Sequence, residues 1–93
     1  MATYILLGTL TDDGHEKLRK NPKWINDVNY ELESMGVKVL SQYAALGPYD
    51  IITILDAPDN KTVVQVSSQL TLRGSIRITT LPALPIQDFI DTL

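Results

Sequence analysis

Apolar residues follow strand-like and helix-like patterns in turn along this chain. A run of β-branched and aliphatic residues from Thr3 to Leu10 predicts a first strand, and the polar segment 11–14 ends it. Apolar residues then recur at helical spacing, at Leu18, Ile25, Val28, Leu32 and Met35. Asn21 is a favoured cap and Pro22 suits a first helical position. We therefore predict a short helical turn and then a main helix from Pro22 to Met35, closed by Gly36.

The middle of the chain predicts a hairpin followed by a second helix. Val37–Leu46 and Ile51–Asp56 have the composition of strands, and Pro48 between them suits the second position of a β-turn. Asp59 after a proline is a helix cap. Helical spacing continues from there to Gly74, where we expect the second helix to end.

The order of these elements predicts the fold. Ser75–Leu81 forms a fourth strand, and segment 86–93 has the apolar spacing of a short amphipathic helix. The order strand, helix, strand, strand, helix, strand is that of a split β-α-β unit. We predict a single α+β domain over residues 1–93 with a ferredoxin-like fold, in which both helices cover one face of a four-stranded antiparallel sheet.

The other face of this sheet has an unusual predicted composition. Strands one and three carry apolar residues on both sides: Tyr4, Leu6 and Leu10 against Ile5 and Leu7, and Ile51 and Leu55 against Ile52 and Ile54. Ordinary strand spacings give this face roughly 350 Å², which is comparable with the largest apolar patch of a typical monomer. We therefore predict face-to-face packing in a homodimer or a higher homo-oligomer.

Composition and charge limit the possible binding partners and the possible kinds of active or metal site. With 44% hydrophobic and 20% charged residues the chain has the balance of a globular domain. It has no spanning apolar run and its start lacks the features of a secretory signal, so we expect a cytoplasmic protein without a membrane partner. The net charge of -3 disfavours a nucleic-acid partner. The absence of cysteine excludes disulfides, thiolate metal sites and thiol nucleophiles.

Several short segments are typical of one known family. They are Thr11-Asp12-Asp13-Gly14, Asn21-Pro22-Lys23, Gly36, Tyr43, Leu46-Gly47-Pro48-Tyr49-Asp50, Ala57-Pro58-Asp59 and Thr79-Thr80. On these segments the chain resembles the GYD-domain proteins over nearly its whole length. The resemblance implies a dimeric α/β-barrel, in which two ferredoxin-like protomers pack sheet on sheet. It implies no particular activity, because the wider group includes cofactor-free monooxygenases, isomerases, haem enzymes and amino-acid-sensing domains.

Three residues are candidates for proton-transfer catalysis. His15 is the only histidine, and Tyr49 and Asp50 place a hydroxyl and a carboxylate in the predicted hairpin turn. In the structural alternative, Asp50 accepts backbone hydrogen bonds and Tyr49 packs at an interface. Asp12, His15 and Glu16 have a spacing that suits a metal, but acidic residues in a first helical turn also interact with the helix dipole. We predict no metal site.

A ligand pocket has six candidate residues: Tyr4, Trp24, Tyr43, Tyr49, Arg73 and Arg77. The arginines suit an anion and the tryptophan suits a flat ligand, although arginines are often surface groups and Trp24 can instead cover the edge of a thin core. The chain has no phosphate loop, dinucleotide fingerprint, zinc pair or serine elbow, so we expect no cofactor. The predicted third strand also lacks the stacking aromatics of RNA-recognition modules.

Three functions fit these features. We favour a homo-oligomeric domain that binds a small apolar or weakly anionic molecule in a cavity. The resemblance also allows a cofactor-independent enzyme of monooxygenase or isomerase type, which requires His15, Tyr49 and Asp50 to converge on one pocket. The third alternative is a structural assembly module, in which the apolar sheet face serves only oligomer formation.

Overall fold

The computed structural model describes residues 1–93 and contains one antiparallel sheet with helices. The strands are β1 (Ala2–Leu10), β2 (Lys38–Ala44), β3 (Ile51–Ala57) and β4 (Ile76–Ala83). The helices are α1 (Asp12–Lys20), α2 (Trp24–Ser34), α3 (Asn60–Leu72) and α4 (Ile86–Ile90). The strand order is β2-β3-β1-β4, which confirms the predicted ferredoxin-like sheet. None of the helices has the length and apolar character needed to cross a bilayer.

The first crossover contains two full helices, where the sequence predicted a short turn before one main helix. The Thr11 hydroxyl accepts a hydrogen bond from the Gly14 backbone N–H at 3.2 Å and caps α1, which is nine residues long. Acidic residues begin α1 and basic residues end it, which complements the helix dipole. Residues 21–23 separate the two helices, so α2 begins at Trp24 and the predicted start at Pro22 is wrong. The Asn21 side chain accepts a hydrogen bond from the Lys23 N–H within this turn. The prediction underestimated α1 because Leu18 is its only large apolar residue.

The second crossover matches its prediction closely. The Asp59 carboxylate accepts a hydrogen bond from the Thr62 N–H at 2.8 Å and caps α3. The buried residues of α3 are Val63, Val66 and Leu70, which face the sheet. Beyond α3, Gly74 has a φ of 74°, a conformation that favours glycine.

A single hydrophobic core lies between the sheet and the helices. Its buried residues are Tyr4, Leu6, Leu32, Val37, Leu55, Ala57, Val63, Val66 and Leu70. The strand ends differ slightly from prediction: β2 is shorter and has an irregularity between Val39 and Ser41, whereas β4 extends to Ala83. The core therefore uses one face of the sheet and leaves the other face free of helices.

Candidate functional site

Asp50 in the loop between β2 and β3 is held by the backbone. Its carboxylate accepts a hydrogen bond from the Leu10 N–H at 2.8 Å, and its own N–H donates to the Gly8 carbonyl at 2.8 Å. The Ala45 N–H donates to the Asp50 carbonyl, which closes the loop. This geometry matches the structural alternative for Asp50. Tyr49 beside it is half-buried.

His15 is exposed on α1. Its neighbour Glu16 pairs with Arg19, and this hydrogen bond lowers the pKa of the Glu16 carboxyl. No group of three or more His, Asp or Glu side chains is placed to hold a metal ion. His15 is therefore not part of such a group, and its catalytic role stays a prediction.

A narrow apolar pocket opens between α2, α3 and the covered face of the sheet. Its cavity volume is about 40 Å³. A cavity of this volume has room for only a few water molecules. Its apolar lining consists of Leu6, Trp24, Ile25, Val28, Leu32, Ile51, Leu70, Ile76 and Ile78. Such a slot suits a slender apolar group better than a bulky ring system.

The polar groups of this pocket already have partners within the chain. Gln42 exchanges hydrogen bonds with Asn29 and also donates to the Thr53 hydroxyl at 2.8 Å. Arg73 at the pocket pairs with Glu31 on α2. Sequence reasoning missed Asn29 and Gln42, although Asn29 falls within the apolar stripe of α2, where a polar residue is a signal.

The six predicted ligand-binding residues do not share one site. Trp24 and Arg73 line the pocket. Tyr4 is buried in the core, and its hydroxyl donates a hydrogen bond to Asn60. Tyr43 and Arg77 are exposed on β2 and β4, and Tyr49 lies in the loop after β2. A binding role stays a prediction for all six residues.

A buried serine connects α1 to the start of β4. Ser75 is 1% exposed; its hydroxyl donates to Asp13 at 2.6 Å and accepts from the Lys17 ammonium at 2.8 Å. These contacts lower the pKa of Asp13, the hydrogen bond from Ser75 having the larger effect. A serine beside a lysine resembles a nucleophile with its base. However, the Lys17 ammonium donates to the Ser75 hydroxyl and lies 3.2 Å from the Asp13 carboxylate, and an ammonium has no lone pair with which to accept the serine proton.

The helix-free side of the sheet carries an apolar patch, which we call the open sheet face. Its apolar members are Ile5, Leu7, Tyr43, Ile52, Ile54 and Leu81. Ile5 lies in register between Ile54 on β3 and Leu81 on β4, so the patch is continuous across three strands. Tyr43 is 59% exposed and Leu81 is 41% exposed. The predicted apolar face is therefore present in the folded chain.

The C-terminal tail, residues 84–93, is a second exposed apolar surface. None of the residues of α4 is buried. The exposed apolar side chains of the tail are Leu84, Ile86, Phe89, Ile90 and Leu93. Its helical hydrogen bonds are local, such as those from the Asp88 and Phe89 N–H groups to the Pro85 carbonyl.

Comparison with known proteins identifies the family. The family profile described as GYD domain matches residues 4–93. The chain belongs to the GYD-domain family. A relative from Thermus thermophilus, named glutamine synthetase and cystathionine beta-lyase binding protein, is 50% identical over 94 residues. That alignment covers 100% of this GYD domain and 99% of the relative.

A solved structure shows the same fold. The crystal structure of TTHA0845, also from Thermus thermophilus, aligns with a TM-score of 0.58 at 22% identity. The alignment covers 91% of this chain and 95% of that protein. At this identity the similarity concerns the fold alone.

Proposed function

We propose that this GYD domain is a homo-oligomeric protein-binding module that docks on metabolic enzymes. One observation carries the proposal: a relative that matches over the whole chain is 50% identical to it. The name of that relative describes a protein that binds glutamine synthetase and cystathionine beta-lyase. At this identity over the whole chain, related domains commonly keep part of their surface, so enzymes of these two kinds are the first partners to test.

The open sheet face and the outer side of α3 suit two different contacts, one with a second copy and one with an enzyme. The open sheet face suits a second copy, because sheet-on-sheet packing would bury Ile5, Leu7 and Ile54 in a shared core. In such a dimer the helices point outward. The segment of α3 from Thr62 to Leu72 has no charged residue and exposes Val64 and Leu72. Charge depletion is typical of the centre of a protein interface, so α3 is the surface that we assign to the enzyme.

The enzyme contact is tested with purified glutamine synthetase and cystathionine β-lyase from the same organism as this chain. We expect surface-immobilised protein to bind one or both enzymes, and Val64→Asp/Leu72→Asp to weaken binding about tenfold or more. Tyr30→Asp is the control for each of the two single substitutions, because Tyr30 lies on α2 and its exposure falls between those of Val64 and Leu72. If neither enzyme binds, or if the control weakens binding as much as the single substitutions, the assignment is wrong.

The oligomer is tested separately by native mass spectrometry. We expect a dimer or a larger even-numbered assembly for the natural chain, and a folded monomer for Ile54→Asp, because the charge would be buried between the two sheets. Val64→Asp, which lies on the opposite layer, is expected to keep the assembly. A natural chain that is monomeric at micromolar concentration would contradict sheet pairing.

The pocket supports a second candidate function, the binding of a small, slender apolar or weakly anionic molecule. Apolar walls and the Trp24 and Arg73 side chains at one site are the specific observation in its favour. The same native mass spectra test this second function. A bound small molecule appears as extra mass, and its loss in Val28→Phe would support binding in the pocket. Retained mass that is unaffected by filling the slot would place any ligand elsewhere. We propose no reaction, because Asp50 is engaged by the backbone and His15 does not line this pocket.

A further inference from the structure

The C-terminal tail has the anchor spacing of a helix that packs on another surface. Ile86, Phe89, Ile90 and Leu93 fall at positions i, i+3, i+4 and i+7. Asp88 and Asp91 lie between these positions, so the segment has an apolar side and an acidic side. The pattern indicates that the apolar side is covered and that the acidic side remains in water.

The tail has little stability of its own. Its helix α4 spans five residues, and isolated helices shorter than about 12 residues are marginal in water. The rest of the chain also buries little of the tail, since the Phe89 side chain is 50% exposed and the Leu93 side chain is 88% exposed. A second surface is therefore needed to bury these side chains.

The open sheet face of the same chain does not receive the tail. Tyr43 and Leu81 on that face remain exposed, although the tail follows directly from the end of β4. One chain thus presents two apolar surfaces, the open sheet face and the tail, that do not cover each other. A second copy brings a complementary pair of the same surfaces.

The size of the open sheet face favours a second copy as the occupant. With strands of 7 to 9 residues the face measures roughly 500 Å², which is below the about 800 Å² that each partner contributes to a stable interface of standard size. The tail adds five exposed apolar side chains to that area. Sheet pairing and tail packing together bring the buried area close to that of a standard interface. Sheet pairing alone leaves the buried area below it.

We propose that the C-terminal tail of each protomer crosses to the second copy and packs its Ile86, Phe89, Ile90 and Leu93 side against the rim of the paired sheets. The inference rests on the sheet pairing of the proposed function. It adds that the tail is an exchanged arm of the homodimer and not the segment that binds the enzyme.

The first test compares dimer dissociation constants by analytical ultracentrifugation. Deletion of residues 86–93 and the substitution Phe89→Glu are each expected to raise the dimer Kd about tenfold or more, because apolar area leaves the interface. Asp88→Asn is the control: it also changes the charge of the tail by one, but on the exposed polar side, and is expected to leave the Kd unchanged.

The second test locates the tail directly. The chain has no cysteine, so Ile90→Cys can be labelled at one site with a benzophenone maleimide. After dimers are mixed from ¹⁴N and ¹⁵N protein and irradiated, cross-linked peptides that combine both isotopes show that the tail reaches the partner.

Each outcome decides the inference. Mixed-isotope cross-links together with the weakened dimers of the tail variants support it. Cross-links of a single isotope only, or cross-links that form only with an added enzyme, overturn it, as does an unchanged Kd for both tail variants. These failures leave sheet pairing intact, whereas a natural chain that never dimerises overturns the exchanged arm and the sheet pairing together.

Discussion

The carboxylate of Asp50 accepts a hydrogen bond from the backbone N–H of Leu10 at 2.8 Å, although the two residues are 40 positions apart. The contact joins the loop after β2 to the end of β1, beside a backbone hydrogen bond from Asp50 to Gly8. The acidic residue of the Gly47-Pro48-Tyr49-Asp50 motif therefore fastens the loop to the end of β1, one of the two central strands of the sheet.

Replacement of Asp50 is expected to lower stability. Asp50→Ala leaves the Leu10 N–H without its partner and should reduce the free energy of unfolding by about 1.5–3 kcal/mol, the usual range for a hydrogen bond to a charged group. Asp50→Asn retains an acceptor oxygen and should cost less than half as much. Urea denaturation at pH 7 measures both, with Glu33→Ala on the exposed side of α2 as control. An Asp50→Ala variant as stable as the natural chain would show that water replaces the carboxylate without loss.

The close approach of α1 to β4 makes Gly14 sensitive to substitution. A Cβ at Gly14 would lie 1.9 Å from the Ser75 carbonyl oxygen, so Gly14→Ala should destabilise the protein by about 3 kcal/mol. The sign of this stability change is informative, because Gly→Ala within a helix otherwise stabilises a protein by about 0.5–1 kcal/mol.

Gly8→Ala provides a graded comparison, and thermal unfolding measures the stability of both variants. Its Cβ would meet the end of the flexible Ile76 side chain at 2.8 Å, so the expected cost is about 1 kcal/mol. Equal thermal stability of the two variants would contradict the distinction between rigid backbone and movable side chain.

The contacts of Asp13 predict an acid-dependent contribution to stability. Its pKa is lowered below 3.8, chiefly by the hydrogen bond from Ser75 and then by Lys17. Because the folded pKa lies below the unfolded one, this stabilisation is complete at neutral pH and is lost as the pH falls from about 4 through the folded pKa. Asp13→Asn should therefore be less stable than the natural chain at pH 7, and the difference should shrink towards pH 3.

Urea midpoints measured across this pH range test the Asp13 prediction. Asp12→Asn is the control, because Asp12 begins the same helix but makes no side-chain hydrogen bond to Ser75. A stability difference for Asp13→Asn that stays constant down to pH 3 would mean that its carboxylate is not linked to folding.

The Tyr4 hydroxyl is predicted to have a structural role. Tyr4→Phe removes the hydrogen bond to Asn60 and should lower the free energy of unfolding by about 1 kcal/mol, without changing the oligomeric state. The loss should largely disappear in an Asn60→Ala background, which a double-mutant cycle measures. A loss of bound small molecule in Tyr4→Phe would instead support its predicted place in a ligand site.

The predicted elements were most accurate where local signals agree. The Asp59 cap, the apolar spacing of α3 and the glycine after it together mark that helix, and all three depend only on neighbouring residues. The extent of α1 was missed, since its contacts with Ser75 and Gly74 involve residues more than 60 positions away. No periodicity within α1 contains that information.

For the candidate site, the sequence supplies residue types but not their arrangement. Residue types predict Trp24 and Arg73 as binding residues; both line the pocket, and their binding role stays a prediction. The same reasoning grouped them with Tyr43 and Arg77, which are exposed on strands elsewhere. Side-chain chemistry can be read from a sequence, but the distance between two side chains depends on register and packing.

By itself, the sequence determined the strand and helix order, the apolar character of both sheet faces and the family, because strand alternation, helix caps and short motifs are local properties of the chain. Tertiary structure alone decided that Asp50 binds the backbone of β1, that Ser75 joins α1 to β4, and that the tail leaves its own sheet uncovered. Each of these relationships joins residues far apart in the chain, and their proximity arises only when the sheet register and the helix packing bring them together.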